Sequence, residues 1–274
     1  MSAAGPGAGT TRLRAAMDRA RRDQRTFLVI YLTQGDPSPA ISLDIVRAAA
    51  EAGADVIELG VPFSDPNADG VVIQEAMQRA LAAGGGLASS LAGVRQLREG
   101  GCEVPIVLFG YYNPLFVYGT ERFARDAAEA GVDAVLTVDL PVDEIGELHG
   151  PLSAAGVDVV PLVAPTSGAE RIARAREFAP PFIYYISMTG ITGAAFQGAS
   201  GGSERVTEIR SLTEAPVAVG FGIKTAADAG QVAAYADGVV VGSAVIRRIA
   251  AAEPDRAAAA VGEFVAELRA GIDG

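Results

Sequence analysis

The chain has 274 residues, half of them hydrophobic, and a formal net charge of −11 at pH 7. This acidic balance argues against a nucleic acid or an anionic membrane surface as a partner, because both would repel the chain. Cys102 is the only cysteine, which excludes a disulfide within the chain and fits a reducing, cytoplasmic location.

One folded domain is expected over residues 11–274, preceded by a short tail. Residues 1–10 are rich in Gly, Ala and Pro and lack the charged and apolar regions of a signal peptide, which predicts a disordered tail. No uninterrupted apolar run reaches about 18 residues, so no membrane-spanning helix is predicted. Helical spacing over residues 13–24 predicts a capping helix at one end of the domain.

Short apolar runs alternate with helical patterns along the rest of the chain. The runs that predict strands lie at residues 27–32, 56–59, 106–109, 134–138, 157–162, 182–186, 217–219 and 238–241. The helical patterns lie near residues 41–52, 71–83, 87–99, 121–130, 143–155, 168–178, 204–214, 226–235, 244–251 and 255–270.

This alternation predicts an α/β fold with an all-parallel sheet. The strand runs are continuously apolar, which is typical of strands covered by helices on both faces. Eight strand–helix units predict a (β/α)8 barrel of the TIM type, with an N-terminal capping helix and extra helices. A doubly wound sheet is the alternative, and the number of strands disfavours it.

Residues 55–70 combine a strand that contains Glu58 with a loop, rich in Gly, Pro and Asp, that ends at Asp69 and Gly70. Burying an ionised, unpaired carboxylate in a strand costs several kcal/mol, so Glu58 indicates chemistry rather than folding. Two structural alternatives for Glu58 are a salt bridge and an outward position on an edge strand. Asp69 could instead be the N-cap of the following helix.

Acidic residues are expected to converge at the carboxyl ends of the strands, where barrels of this type keep their active sites. Glu58, Asp69 and Asp139 lie at or just after predicted strands, and such a set suggests acid/base catalysis. His149 is the only histidine and is expected on a helix surface. With one His and one Cys, a zinc site and Cys–His catalysis are effectively excluded, so we predict no metal.

Glycines after the last two predicted strands predict a phosphate site. Gly220 and Gly222 follow one strand, and Gly242 with Ser243 follows the other and opens a helix, whose N-terminus attracts anions. The alternative is that these glycines only make tight turns. Neither the dinucleotide-binding nor the P-loop motif is matched, so a phosphorylated metabolite is a better candidate than a nucleotide.

Two further features are predicted at the same end of the barrel, the carboxyl ends of the strands, which we call the mouth. The segment 187–204 contains five glycines and is much longer than the usual strand–helix loop, which predicts a closing lid or, alternatively, plain disorder. Aromatic residues near the strand ends suit a flat aromatic substrate, although such residues are often only core: Tyr31, Phe109, Tyr111, Tyr184 and Phe221.

The segment I-E-L-G-V-P-F-S-D-P at 57–66, followed by A-D-G at 68–70, resembles the signature of the tryptophan synthase alpha subunit family. Segments at 33–37, 110–114, 139–141, 189–193, 220–223 and 242–243 agree with that family in order and spacing. The resemblance implies retro-aldol cleavage of indole-3-glycerol phosphate into indole and glyceraldehyde 3-phosphate. It assigns the acid/base role to Glu58 and the indole N–H contact to Asp69.

The resemblance also implies which residues bind ligands and partners. By the resemblance, contacts to substrate would come from Tyr184, Thr192, Gly193, Phe221, Gly222, Gly242 and Ser243. The predicted aromatic lining adds Tyr31, Phe109 and Tyr111 to the expected substrate contacts. The family works as an alpha2-beta2 complex, with pyridoxal phosphate in the beta subunit and no cofactor in the alpha chain. Interface contacts would come from Asp65, Pro66, Asn113 and Pro141.

Three other functions remain open from the sequence. One is a stand-alone indole-3-glycerol phosphate lyase that releases free indole. The second is a mainly regulatory subunit that binds a phosphate ligand and switches its partner. The third is a different isomerase built on a phosphate-binding barrel.

Overall fold

A computed structural model describes residues 12–187, 201–220 and 222–274. In this part of the chain nine strands form one parallel sheet in the order β5-β4-β3-β2-β1-β9-β8-β7-β6. The strands β1 to β9 are Phe27–Thr33, Val56–Gly60, Ile106–Gly110, Ala134–Thr137, Asp158–Val159, Leu162–Val163, Ile183–Ile186, Val217–Gly220 and Gly238–Val241.

The sheet closes on itself through the short connection between β5 and β6, which stand at the two ends of the strand order. Only Val160 and Pro161 separate them. The Val160 N–H donates to Val135 O in β4 at 2.9 Å, and Pro161 O accepts from Tyr184 N in β7 at 3.0 Å. The predicted strand at 157–162 is therefore split in two, because a proline has no N–H to continue the ladder. The (β/α)8 barrel is confirmed.

Twelve α-helices surround the sheet within the described residues. Helices α1 to α12 are Arg12–Arg22, Pro39–Glu51, Val71–Ala82, Leu87–Glu99, Tyr112–Tyr118, Thr120–Ala130, Gly146–Ala154, Ala169–Arg174, Gly202–Thr213, Ala226–Ala233, Ser243–Ala251 and Ala257–Asp273. Two 3-10 helices, Ala175–Phe178 and Pro254–Arg256, follow α8 and α11. No helix in these parts of the chain is long and apolar enough to cross a membrane.

Helix α5 is the element that the sequence did not predict. Its residues Asn113 and Pro114 are typical of a turn, yet a proline is tolerated in the first turn of a helix because the N–H there has no intrahelical acceptor. The side chain of Asp139 accepts the N–H of Tyr112 at 2.8 Å and so supplies a partner at the start of this helix.

Helix α1 caps the end of the barrel opposite the carboxyl ends of the strands. Its buried residues Leu13, Ala16, Met17 and Ala20 recur at helical spacing. On its other side Arg14 donates to Asp158, the first residue of β5, at 2.6 Å. The predicted capping helix is therefore confirmed.

A buried ion pair joins the end of α4 to the residue that precedes β4. The Arg98 guanidinium donates to Asp133 Oδ2 at 2.7 Å, and to the carbonyl oxygens of Gly131, Cys102 and Val104. The side chains of Arg98 and Asp133 are 10% and 2% exposed. Removing one partner of such a pair leaves an uncompensated buried charge.

Replacing Asp133 with Ala is expected to lower the free energy of unfolding by about 3 kcal/mol, because Arg98 then stays buried without its carboxylate. Urea denaturation at neutral pH measures the change. The matched control is Asp44→Ala, which breaks an exposed ion pair with Arg47 and should change stability by less than about 0.5 kcal/mol. Equal effects of the two substitutions would contradict this interpretation of the buried pair.

Candidate active site

Glu58 lies in the middle of β2 and is 1% exposed. Strand β2 pairs with β1 on one side and with β3 on the other, so it is not an edge strand. No described residue forms an ion pair with Glu58, and its Oε1 atom is buried without a hydrogen-bond partner. Both structural alternatives for this residue are therefore wrong for the part of the chain described.

Burial raises the pKa of Glu58 to about 8, because desolvation disfavours the charged form. A carboxyl group with such a pKa is mostly protonated at neutral pH and can both give and accept a proton there. The orphaned Oε1 atom is a buried acceptor that a bound molecule could satisfy.

Two tyrosines share the environment of this carboxyl group. Tyr31 and Tyr184 are buried, and the pKa of each is raised well above its usual value, mainly by desolvation. Negative charge on Glu58 and on Asp69 raises both pKa values further. Each of the two tyrosines is therefore close enough to both carboxyl groups to interact with them electrostatically.

Glycines at the ends of neighbouring strands make room for these tyrosine rings. A Cβ atom on Gly60 would lie 2.3 Å from the Tyr31 hydroxyl, and one on Gly220 would lie 2.3 Å from the Tyr184 hydroxyl. Any larger residue at either position would push the ring away. The ring of Phe109 meets that of Tyr31 edge-on, with the centroids 5.2 Å apart, so aromatic surface lines the barrel beside Glu58.

Asp69 binds a tyrosine instead of capping the helix that follows it. The Tyr111 hydroxyl donates to Asp69 Oδ2 at 2.7 Å and accepts the N–H of Ala68 at 3.0 Å. The N-cap of α3 is Gly70, which makes no side-chain cap hydrogen bond. Burial raises the pKa of Asp69, and the hydrogen bond from Tyr111 opposes that shift. The aspartate is thus held in a fixed position at the barrel mouth.

Asp139, the third acidic candidate, has a different role. It is exposed and accepts the backbone N–H of Tyr112, so it supports the start of α5. His149 lies on α7, where its ring meets Phe178 edge-on at 5.1 Å. Neither residue adjoins Glu58 through any contact in the described structure. No group of three or more His, Cys, Asp or Glu that could hold a metal ion occurs within residues 12–187, 201–220 and 222–274.

The predicted phosphate loops follow two strands that are neighbours in the sheet. Gly222, at φ +78°, comes after β8, and Gly242 is the N-cap of α11, whose first residue is Ser243. Register pairs Gly220 of β8 with Val240 of β9, which brings the two loops side by side. A Cβ on Gly242 would lie 3.3 Å from Tyr31 Cβ, so this loop adjoins the aromatic lining.

Thr192, Gly193 and Phe221 lie outside the described residues, as does most of the predicted lid at 187–204.

The residues predicted to contact a partner lie on two loops and on α5, which hydrogen bonds join together. Asp65 and Pro66 are in the loop after β2, which Tyr111 holds through Ala68. Asn113 is on α5, and the loop that contains Pro141 meets α5 through Asp139. Phe116 and Val117 on the same helix are 64% and 76% exposed. Helix α5 therefore presents apolar surface beside the mouth. This surface was not predicted from the sequence because the helix itself was not predicted.

Comparison with known proteins points to one family. A family model described as "Tryptophan synthase alpha chain" matches residues 17–272. The chain is 50% identical over 245 residues to the tryptophan synthase alpha chain of Citrifermentans bemidjiense, covering 89% of this chain and 91% of that one. It is 45% identical over 263 residues to that of Dechloromonas aromatica, covering 96% and 98%.

Solved structures agree with the sequence comparisons. The tryptophan synthase alpha chain of Legionella pneumophila matches with a TM-score of 0.88 and 35% identity, covering 97% of this chain and 98% of that one. A structure of tryptophan synthase from Mycobacterium tuberculosis matches with a TM-score of 0.87 and 35% identity, covering 96% and 99%.

The raised pKa of Glu58 predicts a pH-dependent stability difference between the wild-type chain and Glu58→Gln. Between the unfolded value of 4.5 and the folded value of about 8, the folded chain keeps a proton that the unfolded chain releases. The stability that this proton gives is fully present below pH 4.5. It is lost as the pH rises from that value to the folded pKa. The variant should therefore gain stability relative to wild type, by a few kcal/mol, from about pH 5 to about pH 8.

Urea denaturation across this pH range measures the difference. Glu75→Gln, an exposed change on α3, is the control and should show a constant difference from wild type. A constant difference for Glu58→Gln as well would contradict the raised pKa.

Proposed function

The chain belongs to the tryptophan synthase alpha chain family, whose members are lyases that cleave indole-3-glycerol phosphate, and from this premise we propose how its residues perform the cleavage. The observation that carries the proposal is the buried, unpaired Glu58 carboxyl group within β2. The fold does not need an acid at such a position. Protonation of a carbon atom at neutral pH does need one.

Glu58 is proposed to donate its proton to carbon 3 of the indole ring. Protonation there turns the ring into a cation whose charge is centred on the nitrogen. The bond from carbon 3 to the side chain then breaks, and its electron pair returns to the ring to give neutral indole. The hydroxyl on the departing carbon loses its proton to the Glu58 carboxylate and becomes the aldehyde of glyceraldehyde 3-phosphate. The acid is thereby regenerated, and all atoms are accounted for.

Asp69 is proposed to accept a hydrogen bond from the indole N–H. A carboxylate there would stabilise the positive charge that develops on the ring when carbon 3 is protonated. Tyr111 supports this role because its hydroxyl donates to Oδ2 of Asp69 and fixes its orientation. The coulombic influence of both Asp69 and Glu58 on Tyr31 and Tyr184 supports their facing one ligand.

The ring and the phosphate of the substrate are proposed to bind on different sides of the mouth. Tyr31, Phe109, Tyr111 and Tyr184 offer aromatic surface to the indole, which suits a flat apolar ring. Gly222, in the loop after β8, and Gly242 with Ser243, at the start of α11, offer backbone N–H groups to the phosphate. Thr192, Gly193 and Phe221 join this set as proposed contacts, on the resemblance described above.

Membership of the family implies a beta-subunit partner, and the cleavage itself needs no cofactor in this chain. We further propose an alpha2-beta2 assembly in the cytoplasm, with pyridoxal phosphate in the beta subunit. Asp65, Pro66, Asn113 and Pro141, together with the exposed Phe116 and Val117, are proposed to contact that partner.

Glu58→Gln is expected to lower kcat for indole formation by about 10²- to 10⁴-fold, because the amide cannot donate a proton to carbon 3. The dissociation constant for indole-3-glycerol phosphate should change little, since the phosphate loops and aromatic walls are unchanged. Steady-state assays of indole release and calorimetric titration measure the two quantities. Near-normal cleavage by this variant, with Glu75→Gln as a control, would refute the assignment of Glu58.

Phe116→Ser is expected to weaken association with a tryptophan synthase beta subunit at least about tenfold, because an exposed aromatic anchor is lost. The measurement is indole-3-glycerol phosphate turnover during titration with the beta subunit. Turnover by the isolated chain should not change.

Ala251→Ser, on the exposed end of α11, is the control. An unchanged titration with Phe116→Ser would place the partner elsewhere, and fast turnover with no partner would favour a stand-alone lyase.

A further inference from the structure

The hydroxyl group of Tyr31 lies beside the Glu58 carboxyl group. Register pairs Tyr31 of β1 with Glu58 of β2, so the two side chains point to the same face of the sheet. Gly60 follows Glu58 by two residues and therefore belongs to the same face. A Cβ atom on Gly60 would lie 2.3 Å from the Tyr31 hydroxyl oxygen. The hydroxyl is thus placed over β2, one side-chain position beyond Glu58 towards the mouth.

The hydrogen bonding of Tyr31 leaves its own proton without an acceptor. Tyr31 is 3% exposed, and its one hydrogen-bond partner among the described residues is Thr33, whose hydroxyl donates to it at 3.4 Å. The tyrosine oxygen accepts in this contact, so its O–H is still available as a donor. Within the described residues no hydrogen bond joins Tyr31 directly to Glu58. A buried donor costs free energy unless a group accepts its proton.

Glu58 has the complementary deficit. Its Oε1 atom is a buried acceptor to which no group donates in the described structure. A donor without an acceptor and an acceptor without a donor therefore occupy neighbouring positions on two paired strands. A hydroxyl group carries one proton and two lone pairs. One ligand hydroxyl can thus satisfy both residues, whereas an N–H group, which only donates, can satisfy Glu58 alone.

We propose that Tyr31 is a further catalytic residue, whose hydroxyl donates a hydrogen bond to the substrate hydroxyl on the carbon attached to indole carbon 3. This inference rests on the proposed function, in which that substrate hydroxyl loses its proton to Glu58. The hydrogen bond from Tyr31 orients the substrate O–H towards Glu58 and is kept by the aldehyde oxygen that forms. Tyr31 itself releases no proton. Burial, together with negative charge on Asp69 and Glu58, raises the pKa of Tyr31 well above its usual value, so it remains a donor throughout.

The first test is cleavage of indole-3-glycerol phosphate by the full chain carrying Tyr31→Phe. This change removes the hydroxyl and keeps the ring, which packs edge-on against Phe109. The value of kcat/KM should fall about tenfold through loss of one hydrogen bond. The matched control is Tyr118→Phe, which removes a tyrosine hydroxyl that donates to Asp126 at 2.6 Å between the outer helices α5 and α6. The control should leave kcat/KM unchanged.

The second test is binding, measured by calorimetric titration in a Glu58→Gln background that slows turnover and keeps an acceptor oxygen. Two ligands are compared: the substrate, and indole-3-propyl phosphate, which has the same ring and phosphate but no hydroxyl groups. Adding Tyr31→Phe should weaken binding of the substrate about tenfold and leave binding of the analogue unchanged. A crystal of Glu58→Gln with bound substrate requires no change at Tyr31, and it should place the two hydroxyl oxygens about 3 Å apart.

The outcomes separate this inference from the proposed function. Unchanged cleavage and substrate binding by Tyr31→Phe would overturn the inference and leave the role of Glu58 intact. Equal losses of affinity for the substrate and the analogue would also overturn it, because they would show that the hydroxyl only supports packing. Absence of cleavage by the wild-type chain would overturn the proposed function, whereas a loss of affinity confined to the substrate would still support the contact with Tyr31.

Discussion

The absence of solvent around the Glu58 carboxyl group is the constraint on which the active-site account depends. The Glu58 carboxyl group lies between strands β1 and β3 and has no cation to pair with among the described residues. It is therefore stable there mainly in its protonated form. That state makes it a proton donor near neutral pH. The same burial that raises its pKa lowers the stability of the fold at alkaline pH, which is the usual cost of placing a reactive group in a core.

Small residues and hydrogen bonds shape the mouth around Tyr31, Tyr184 and Tyr111. Gly60 and Gly220 leave space for the hydroxyl groups of Tyr31 and Tyr184. Tyr111 then ties the loop of Asp69 to the end of β3, and Asp139 ties the next loop to α5. These hydrogen bonds connect Asp69, through Tyr111, to the start of α5. A partner bound to α5 would thus contact a helix that begins next to Tyr111, the residue that holds Asp69.

The sequence predicted the fold and the central acid because both depend on local patterns. Continuous apolar runs that alternate with helices predict a parallel barrel, and an acid inside such a run stands out as Glu58 does. The misses have equally local causes. Pro161 divides a strand whose apolar pattern continues through it, and the Asn-Pro pair at 113–114 is typical of a turn although α5 forms around it.

Contacts between distant loops could not be predicted from sequence. Asp69 precedes a helix and fits an N-cap by spacing, but its partner, Tyr111, lies 42 positions away in the chain. Asp139 follows a strand as catalytic acids do, yet the position of α5 gives it a structural role. The tyrosine–glycine pairs of β1 with β2 and of β7 with β8 are visible only once register is known. A glycine at the end of a strand next to one that contains tyrosine is the signal that could have found them.

Direct observation of the protonation state of Glu58 tests the central claim most sharply. Infrared difference spectra between the wild-type chain and Glu58→Gln, recorded across a pH titration, isolate the signal of this one carboxyl group. A protonated carboxyl band is expected at pH 7 and should be lost as the pH rises through about 8. A carboxylate band already complete at pH 7, with a midpoint near the ordinary value of 4.5, would contradict it.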